Sequence, residues 1–228
     1  MAPVVSVVIP VLIDADSASA LLATLRPGPG IEVIVVDGAA DARLAGIVAA
    51  HPPARLLRTA PGRGRQMNAG AAAAAGTWLL FLHADSILPA GWFEAIAQLD
   101  DDVAGGWFRF ALDDAAWQAR VIERLTAWRV KSLRLPYGDQ GIFVRREVFV
   151  ELGGFPDFPL MEDVSFVRRL VRAGPVVEVP LAIRTSARRW RRDGWFRRST
   201  KNLALVGLYF LGVAPERLAR WYRSAARG

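Results

Sequence analysis

Residues 4–38 read VVSVVIPVLIDADSASALLATLRPGPGIEVIVVDG. Val4 to Ile9 is a β-branched run broken by one serine, and Ile31 to Val36 is a second apolar run, closed by Asp37-Gly38. Near-continuous apolar runs of this length suit strands covered on both faces. Between them, Ser17 to Leu25 has helical composition and stops at the breaker Arg26-Pro27-Gly28-Pro29-Gly30. The stretch predicts a β-α-β unit with a right-handed crossover.

The alternation continues outward. Helices are expected over Ala42 to Ala50 and Gln66 to Ala75, with strands over Arg55 to Arg58 and Thr77 to Leu82. The second half reads as helix Trp92 to Leu99, strand Gly105 to Leu112, helix Ala115 to Leu133 and strand Gly141 to Arg145. Helix Arg146 to Leu152, helix Asp163 to Ala173 and strand Val176 to Pro180 complete it. This is an α/β pattern: an open, mostly parallel sheet flanked by helices, in one domain with two lobes. Ligands of such sheets bind beyond the carboxyl ends of the strands, where Asp37 and His83-Ala84-Asp85 fall.

Composition narrows the chemistry. A 53% hydrophobic, 22% charged chain of 228 residues folds into a compact core. Cysteine is absent, which removes disulfides, thiolate metal sites and cysteine nucleophiles. Residues 1–10 lack a basic region before the apolar run and read as a strand rather than a signal peptide, making the cytoplasm the expected location. Residues 184–228 carry 12 of the 29 Arg/Lys and 2 of the 22 Asp/Glu, so a slightly acidic body bears a basic tail. A local basic surface attracts phosphates or anionic lipid.

Several polar clusters can do chemistry. Asp85 ends an apolar run with His83 and Ser86. A hard cation such as Mg2+ needs a carboxylate plus substrate oxygens and waters, His83 would tolerate Mn2+ as well, and helix capping is the plainer role for Asp85. Glu162-Asp163 opens a helix after Phe155, Phe158 and Met161. The pair fits the helix dipole, and desolvation with like-charge repulsion could raise one pKa to make a general base. Pro61 to Asn68, PGRGRQMN, is a glycine-arginine loop suited to anions, or an ordinary turn. Asp139 and Gln140 in Tyr137-Gly-Asp-Gln140 could bind sugar or acceptor hydroxyls or make a polar turn. Arg188-Arg189-Trp190 could reach a diphosphate or form a solvated basic edge.

Taken in order, SVVIP (6–10), VVDG (35–38), GRGRQMN (62–68), FLHAD (81–85), GIFVRR (141–146), GGF (153–155) and Glu162-Asp163 resemble the inverting GT-A glycosyltransferases of family 2, over residues 4–190. HADS, YGDQG and TSARRW are similar to a bacterial subgroup called radical-SAM/selenodomain-associated transferase 2. The resemblance implies a GT-A, Rossmann-like domain over 1–190, donor half about 1–100 and acceptor half about 101–190, with a basic amphipathic helical tail at 191–228. It implies transfer, of hexosyltransferase type, from a nucleoside diphosphate sugar, UDP-linked by preference. Pro10 and Asp37 would lie at the base or ribose, with Arg63, Arg65 and Asn68 helping to hold the nucleotide, and Arg189 and Trp190 facing the diphosphate. Asp85, matching the last aspartate of the family's DXD element, would hold Mn2+ or Mg2+ with His83, and Asp163 beside Glu162 would deprotonate the acceptor. Asp139 and Gln140 would bind that acceptor. His83 stands where the first DXD aspartate is usual, and Gly38 where a second aspartate often follows Asp37.

Leu203 to Val213 is an 11-residue apolar run, short of the roughly 20 that span a bilayer. Its basic flanks allow peripheral contact of 195–228 with the inner membrane face and a lipid-like acceptor; burial in the core or a homodimer contact is the alternative. Two other functions fit parts of the pattern. A sugar nucleotidyltransferase would carry its glycine-rich loop after the first strand, where this chain has PVLIDADSA. A non-catalytic binding protein would use the basic tail for an acidic partner. Nucleic acid is not the expected partner.

Overall fold

A computed structural model describes residues 4–25 and 28–224. The expectations for residues 1–3, for Arg26 and Pro27 and for the end of the tail at 225–228 lie outside the described residues. The predicted β-α-β unit is present: β1 (Val5–Val11), α1 (Ala15–Leu25) and β2 (Ile31–Asp37), with Val5 paired to Ile31 and Val11 to Asp37 in parallel register. It continues as α2 (Ala42–Ala49), β3 (Arg55–Arg58), α3 (Arg63–Ala73) and β4 (Trp78–Phe81). Next come β5 (Ser86–Ile87), α4 (Trp92–Ala97), β6 (Gly105–Leu112) and α5 (Trp117–Leu133). A 3-10 turn at Gly138–Gln140 leads to β7 (Ile142–Arg145), α6 (Arg146–Glu151), α7 (Glu162–Ala173) and β8 (Val176–Thr185). The chain closes with α8 (Arg188–Asp193), α9 (Trp195–Phe210) and α10 (Pro215–Ser224).

The eight strands form one sheet in the order β3-β2-β1-β4-β7-β6-β8-β5, with β7 and β5 antiparallel to their neighbours and the other pairings parallel. Alternation along β1 divides the core: Val5, Val7 and Ile9 pack with Leu21, Leu22, Leu44 and Ile96, while Val8 packs with Met67, Phe155 and Phe166 on the other face. Helices α1, α2 and α4 therefore cover one face, and α3, α6 and α7 the other.

Two features depart from the local pattern. β8 runs past Pro180 to Thr185, because the register slips from Phe108↔Val179 to Arg109↔Ala182 and the missing proline N–H falls in the bulge. The tail folds back onto the body: Leu205, Val206 and Leu218 are buried with Leu135, Met161 and Val164. The apolar run is thus divided, with Leu205 and Val206 in the core and Leu203, Phe210 and Leu211 exposed. Among the described residues no helix is long and apolar enough to cross a membrane.

Candidate active site

At the carboxyl end of β2, Asp37 is 1% exposed. Its Oδ1 accepts the Ala39 N–H at 2.9 Å, while Oδ2 has no hydrogen-bond partner and only the Arg58 guanidinium at 3.9 Å. A buried carboxylate oxygen left unpaired marks a place for an external N–H or O–H donor. Pro10 lies one residue before the Val11 that pairs with Asp37. The absence of a second acid after Asp37 has a steric cause: a Cβ at Gly38 would stand 2.7 Å from the Gln66 amide. That amide donates to Val11 and Val36 carbonyls, each at 2.8 Å, and ties the two strand ends together.

The glycines of the GRGR segment serve packing. A Cβ at Gly64 would lie 2.7 Å from the Pro156 carbonyl, so the start of α3 sits hard against the loop before α7. Arg65 turns outward to Asp157 at 2.5 Å. Both ends of the Asn68 amide are taken by the Phe155 backbone, each at 2.8 Å. Arg63 turns inward: its Nε donates to Glu162, while other guanidinium nitrogens lie 3.8 Å from Asp163 and 3.3 Å from His83 Nε2.

These groups line or underlie a cavity of about 140 Å3, formed by Arg63, His83, Asp85, Asp139, Asp163, Arg189 and the edge of Trp190, with the tail as its far wall. Glu162 lies beneath it at 1% exposure, and Asp163 is 8% exposed. The pair is therefore more than a helix-dipole contact. The residue before it, Met161, has φ 71°, a left-handed conformation that costs energy for a non-glycine side chain and turns the carboxylates inward.

Burial and packing split the two carboxyls. Burial pushes Glu162 up, against the charge of Arg63. Burial would raise Asp163 as well, but Arg63, the N–H groups of Gly138 and Val164 (both 2.8 Å) and His83 hold it below the usual range. The raised pKa expected of the pair thus falls on Glu162, and Asp163 is an ionised carboxylate at neutral pH. Burial and the charges of Arg63 and Arg189 lower His83 to about 3, so it is neutral, its Nε2 accepting from Arg63. Asp139 is pushed up to about 6, by burial and then by Asp163 and Asp85.

Gln140 and Trp190 sit differently from expectation. Gln140 is buried, its amide donating to the Phe108 carbonyl and accepting from the Tyr137 N–H, which braces the turn that presents Asp139. The Trp190 indole N–H is spent on Ser199 at 3.2 Å, with the ring packed beside Phe110. Sequence reading missed Gln66, inside its own glycine-arginine stretch, and Tyr137, at the edge of YGDQ. It missed Arg129, whose guanidinium lies 3.4 Å over the Tyr137 ring, and the tail residues Arg198, Asn202 and Tyr222, which reach the cavity only by tertiary folding. Among the described residues, buried Tyr137 Oη and Arg129 Nε have no hydrogen-bond partner. They lie where the cavity opens into an apolar groove between α5 and α9, flanked by Leu125, Trp128, Leu133 and Leu203.

Among the described residues no group of three acidic or histidine side chains could hold a metal alone. The donors fit a cation only in company: one carboxylate, Asp85, leaves most of the shell to ligand oxygens and water.

Residues 6–153 match the family model described as Glycosyl transferase family 2. Among solved structures, the chain is similar to the mannosyltransferase PcManGT from Pyrobaculum calidifontis in complex with GDP-Man and Mn2+. The identity is 20% and the TM-score 0.69, over 95% of this chain and 67% of that one. It is similar to S. aureus TarS at 15% identity and TM-score 0.60, over 80% of this chain and 36% of that one. The TarS 1–349 structure gives 16% identity and TM-score 0.60, over 81% of this chain and 60% of that one. The chain thus spans about a third of TarS. No curated protein sequence matches.

Proposed function

The chain belongs to glycosyl transferase family 2, and on that premise we propose that it transfers a sugar, with inversion, from a nucleoside diphosphate sugar to an acceptor hydroxyl. The family membership favours this reading over the nucleotidyltransferase and non-catalytic alternatives. One observation carries the reading: an ionised Asp163, fixed by the Gly138 N–H, faces the same cavity as Asp85, Asp139 and three arginines, Arg63, Arg189 and Arg198, at the carboxyl ends of the parallel strands.

In this reading Asp139 accepts a hydrogen bond from the acceptor and Asp163 takes the hydroxyl proton. The acceptor oxygen forms its bond to the anomeric carbon as the bond to the diphosphate oxygen breaks on the opposite side. The products are the inverted glycoside, the nucleoside diphosphate and a proton on Asp163. Arg63 and Arg189 supply positive charge beside the departing diphosphate. Asp85, with diphosphate oxygens and water, would hold Mn2+ or Mg2+, and a bound cation neutralises leaving-group charge. His83 would contribute as a neutral neighbour, since its Nε2 already accepts from Arg63. Asp37 Oδ2 suits an N–H of the base, which both uracil and guanine offer; UDP is the first donor to test, and the GDP-Man in the archaeal neighbour makes GDP the second. The groove between α5 and α9 supports a lipid-like acceptor. Exposed Leu203, Phe210 and Leu211 support peripheral membrane contact or pairing of two copies.

A thermal-shift panel of UDP, GDP, CMP and dTDP with and without Mn2+ or Mg2+ tests the donor site, because native-state ligands raise Tm by mass action. Asp85→Ala should lose the cation-dependent shift. Asp163→Asn should keep nucleotide binding and lose about 10²–10⁴-fold in turnover. Full turnover in Asp163→Asn removes that residue from the base role.

A further inference from the structure

Beside the catalytic cavity the tail builds a second cavity, of about 270 Å3, lined by Arg189, Arg192, Arg197, Arg198 and Lys201 with Asp193, Asn202 and Tyr222. Five cations face one carboxylate there. Asp193 is shared by Arg192 and Arg198, each at 2.7 Å. Among the described residues, Arg197 donates to the Asp193 carbonyl at 3.0 Å, and Lys201 donates to the Tyr222 carbonyl at 3.1 Å and lies over the Tyr222 ring; neither meets a carboxylate. Arg189 makes no hydrogen bond or ion pair with any described residue. The Arg198 side chain is 10% exposed, and among the described residues its buried Nε has no hydrogen-bond partner. Like charges held this close repel one another, and a buried guanidinium nitrogen without an acceptor is a further cost. An anion resolves both.

Arg189, Arg198, Asn202 and Tyr222 line both cavities, so an anion held in the second lies next to the proposed acceptor position. Resting on the glycosyltransferase reading above, we propose that this cavity is an acceptor subsite for a phosphate group carried by the acceptor, beside the hydroxyl that is glycosylated. Guanidinium forks suit phosphate oxygens, and Arg197 and Lys201 complete the ring from the solvent side. The α5–α9 groove shares Tyr137, Asp139, Trp190 and Asn202 with the catalytic cavity but none of the five cations, so the phosphate and an apolar part of the acceptor would meet different side chains.

The test is a thermal-shift titration with inorganic phosphate against chloride at matched ionic strength, on wild type and on the double variant Arg197→Gln/Lys201→Gln. Neither of those residues lines the catalytic cavity. Wild type should give a saturable phosphate shift that persists with nucleoside diphosphate and Mg2+ bound. The double variant should bind phosphate about tenfold or more weakly while keeping its nucleotide shift, since two charge-assisted contacts to the anion are removed. Comparison with the variant cancels the general stabilisation that phosphate salts give any protein. Lys201→Arg in the Arg197→Gln background should restore part of the binding. An unchanged phosphate shift in the double variant, or one abolished by bound nucleotide, overturns the proposal, the latter assigning the anion to the donor diphosphate position. Loss of the nucleotide shift in wild type is instead a failure of the donor reading. Co-sedimentation with phosphatidylcholine vesicles carrying phosphatidic acid separates the sources. Binding lost in the double variant assigns a lipid headgroup, and a phosphate shift without vesicle binding assigns a soluble phosphate ester.

Discussion

Replacing Arg63 with methionine keeps most of the aliphatic stem and removes the charge on which the catalytic floor depends. Glu162, 1% exposed, would lose the cation bonded to it, and Asp163 the one at 3.8 Å. Breaking a buried ion pair from one side costs about 3–5 kcal/mol. The Arg63 side chain is 37% exposed, so solvent already screens part of the interaction and the expected loss is about 2–3 kcal/mol at pH 7. For a domain of this length that lowers Tm by about 4–12 °C. The sign with pH follows from the two carboxyls. Glu162 is raised in the folded state even with Arg63 present, and more so without it. A raised carboxyl costs stability as pH climbs above its unfolded value, and the cost disappears in acid. Asp163, held low partly by Arg63, contributes stability above its unfolded pKa that fades as pH falls. Both make the Arg63→Met deficit large at neutral pH and small near pH ~4. Urea denaturation of wild type, Arg63→Met, Glu162→Gln and the double variant at both pH values reads it directly. The double variant should resemble Glu162→Gln at pH 7, giving a coupling of about 2 kcal/mol. A deficit under about 0.5 kcal/mol, or one equal at both pH values, would refute the pairing.

Three further outcomes follow from particular contacts. Gly38→Ala should cost about 1–3 kcal/mol and weaken nucleotide binding as the Gln66 amide is displaced, whereas Gly46→Ala, with open space at the added Cβ in α2, should be neutral or stabilising; thermal denaturation compares them. With Asp139 at about 6 and proposed to act as an anion, kcat/KM should fall as pH drops through that value, and Asp139→Asn should lose this inflection. Because its folded pKa is raised, Asp139→Asn should also be the more stable protein at pH 7 to 8, the difference vanishing in acid. Leu218→Ala, at a fully buried position of α10 against Leu205 and Met161, should cost about 2–5 kcal/mol and speed proteolysis of the tail.

The parallel half of the sheet was legible because strands covered on both faces must be apolar throughout, and β2 stops at Asp37 and β4 one residue short of the polar His83. Asp37, His83 and Asp85 sit at those ends, and the topology carries them there without further information. What local pattern misses is direction. Asn68 and Gln140 lie in polar clusters indistinguishable in sequence from ligand-binding ones, yet each amide is claimed by a backbone from another part of the chain. Pro180 reads as a strand end because a bulge that tolerates it exists only once β6 lies alongside. Strand β5 is two residues long and has no pattern of its own. The far wall of the cavity comes from α8 to α10, about a hundred residues on from Asp85, and only packing brings them together.

Short as it is, β5 works as a clasp. Ser86 pairs with Thr185, the Ser186 N–H donates to the Asp85 carbonyl at 3.1 Å, and Arg188 reaches Asp14 and Ser17 beside the donor end of β1. Asp85, just before β5, and Arg189, in α8 just past β8, are thus tied to each other, and the proposed donor side of the cavity is joined to its proposed acceptor side. Under the proposed function, a donor that settles Asp85 would also settle the ground on which the acceptor lands, and whatever factor the first ligand lends the affinity of the second would be returned in equal measure when the order is reversed.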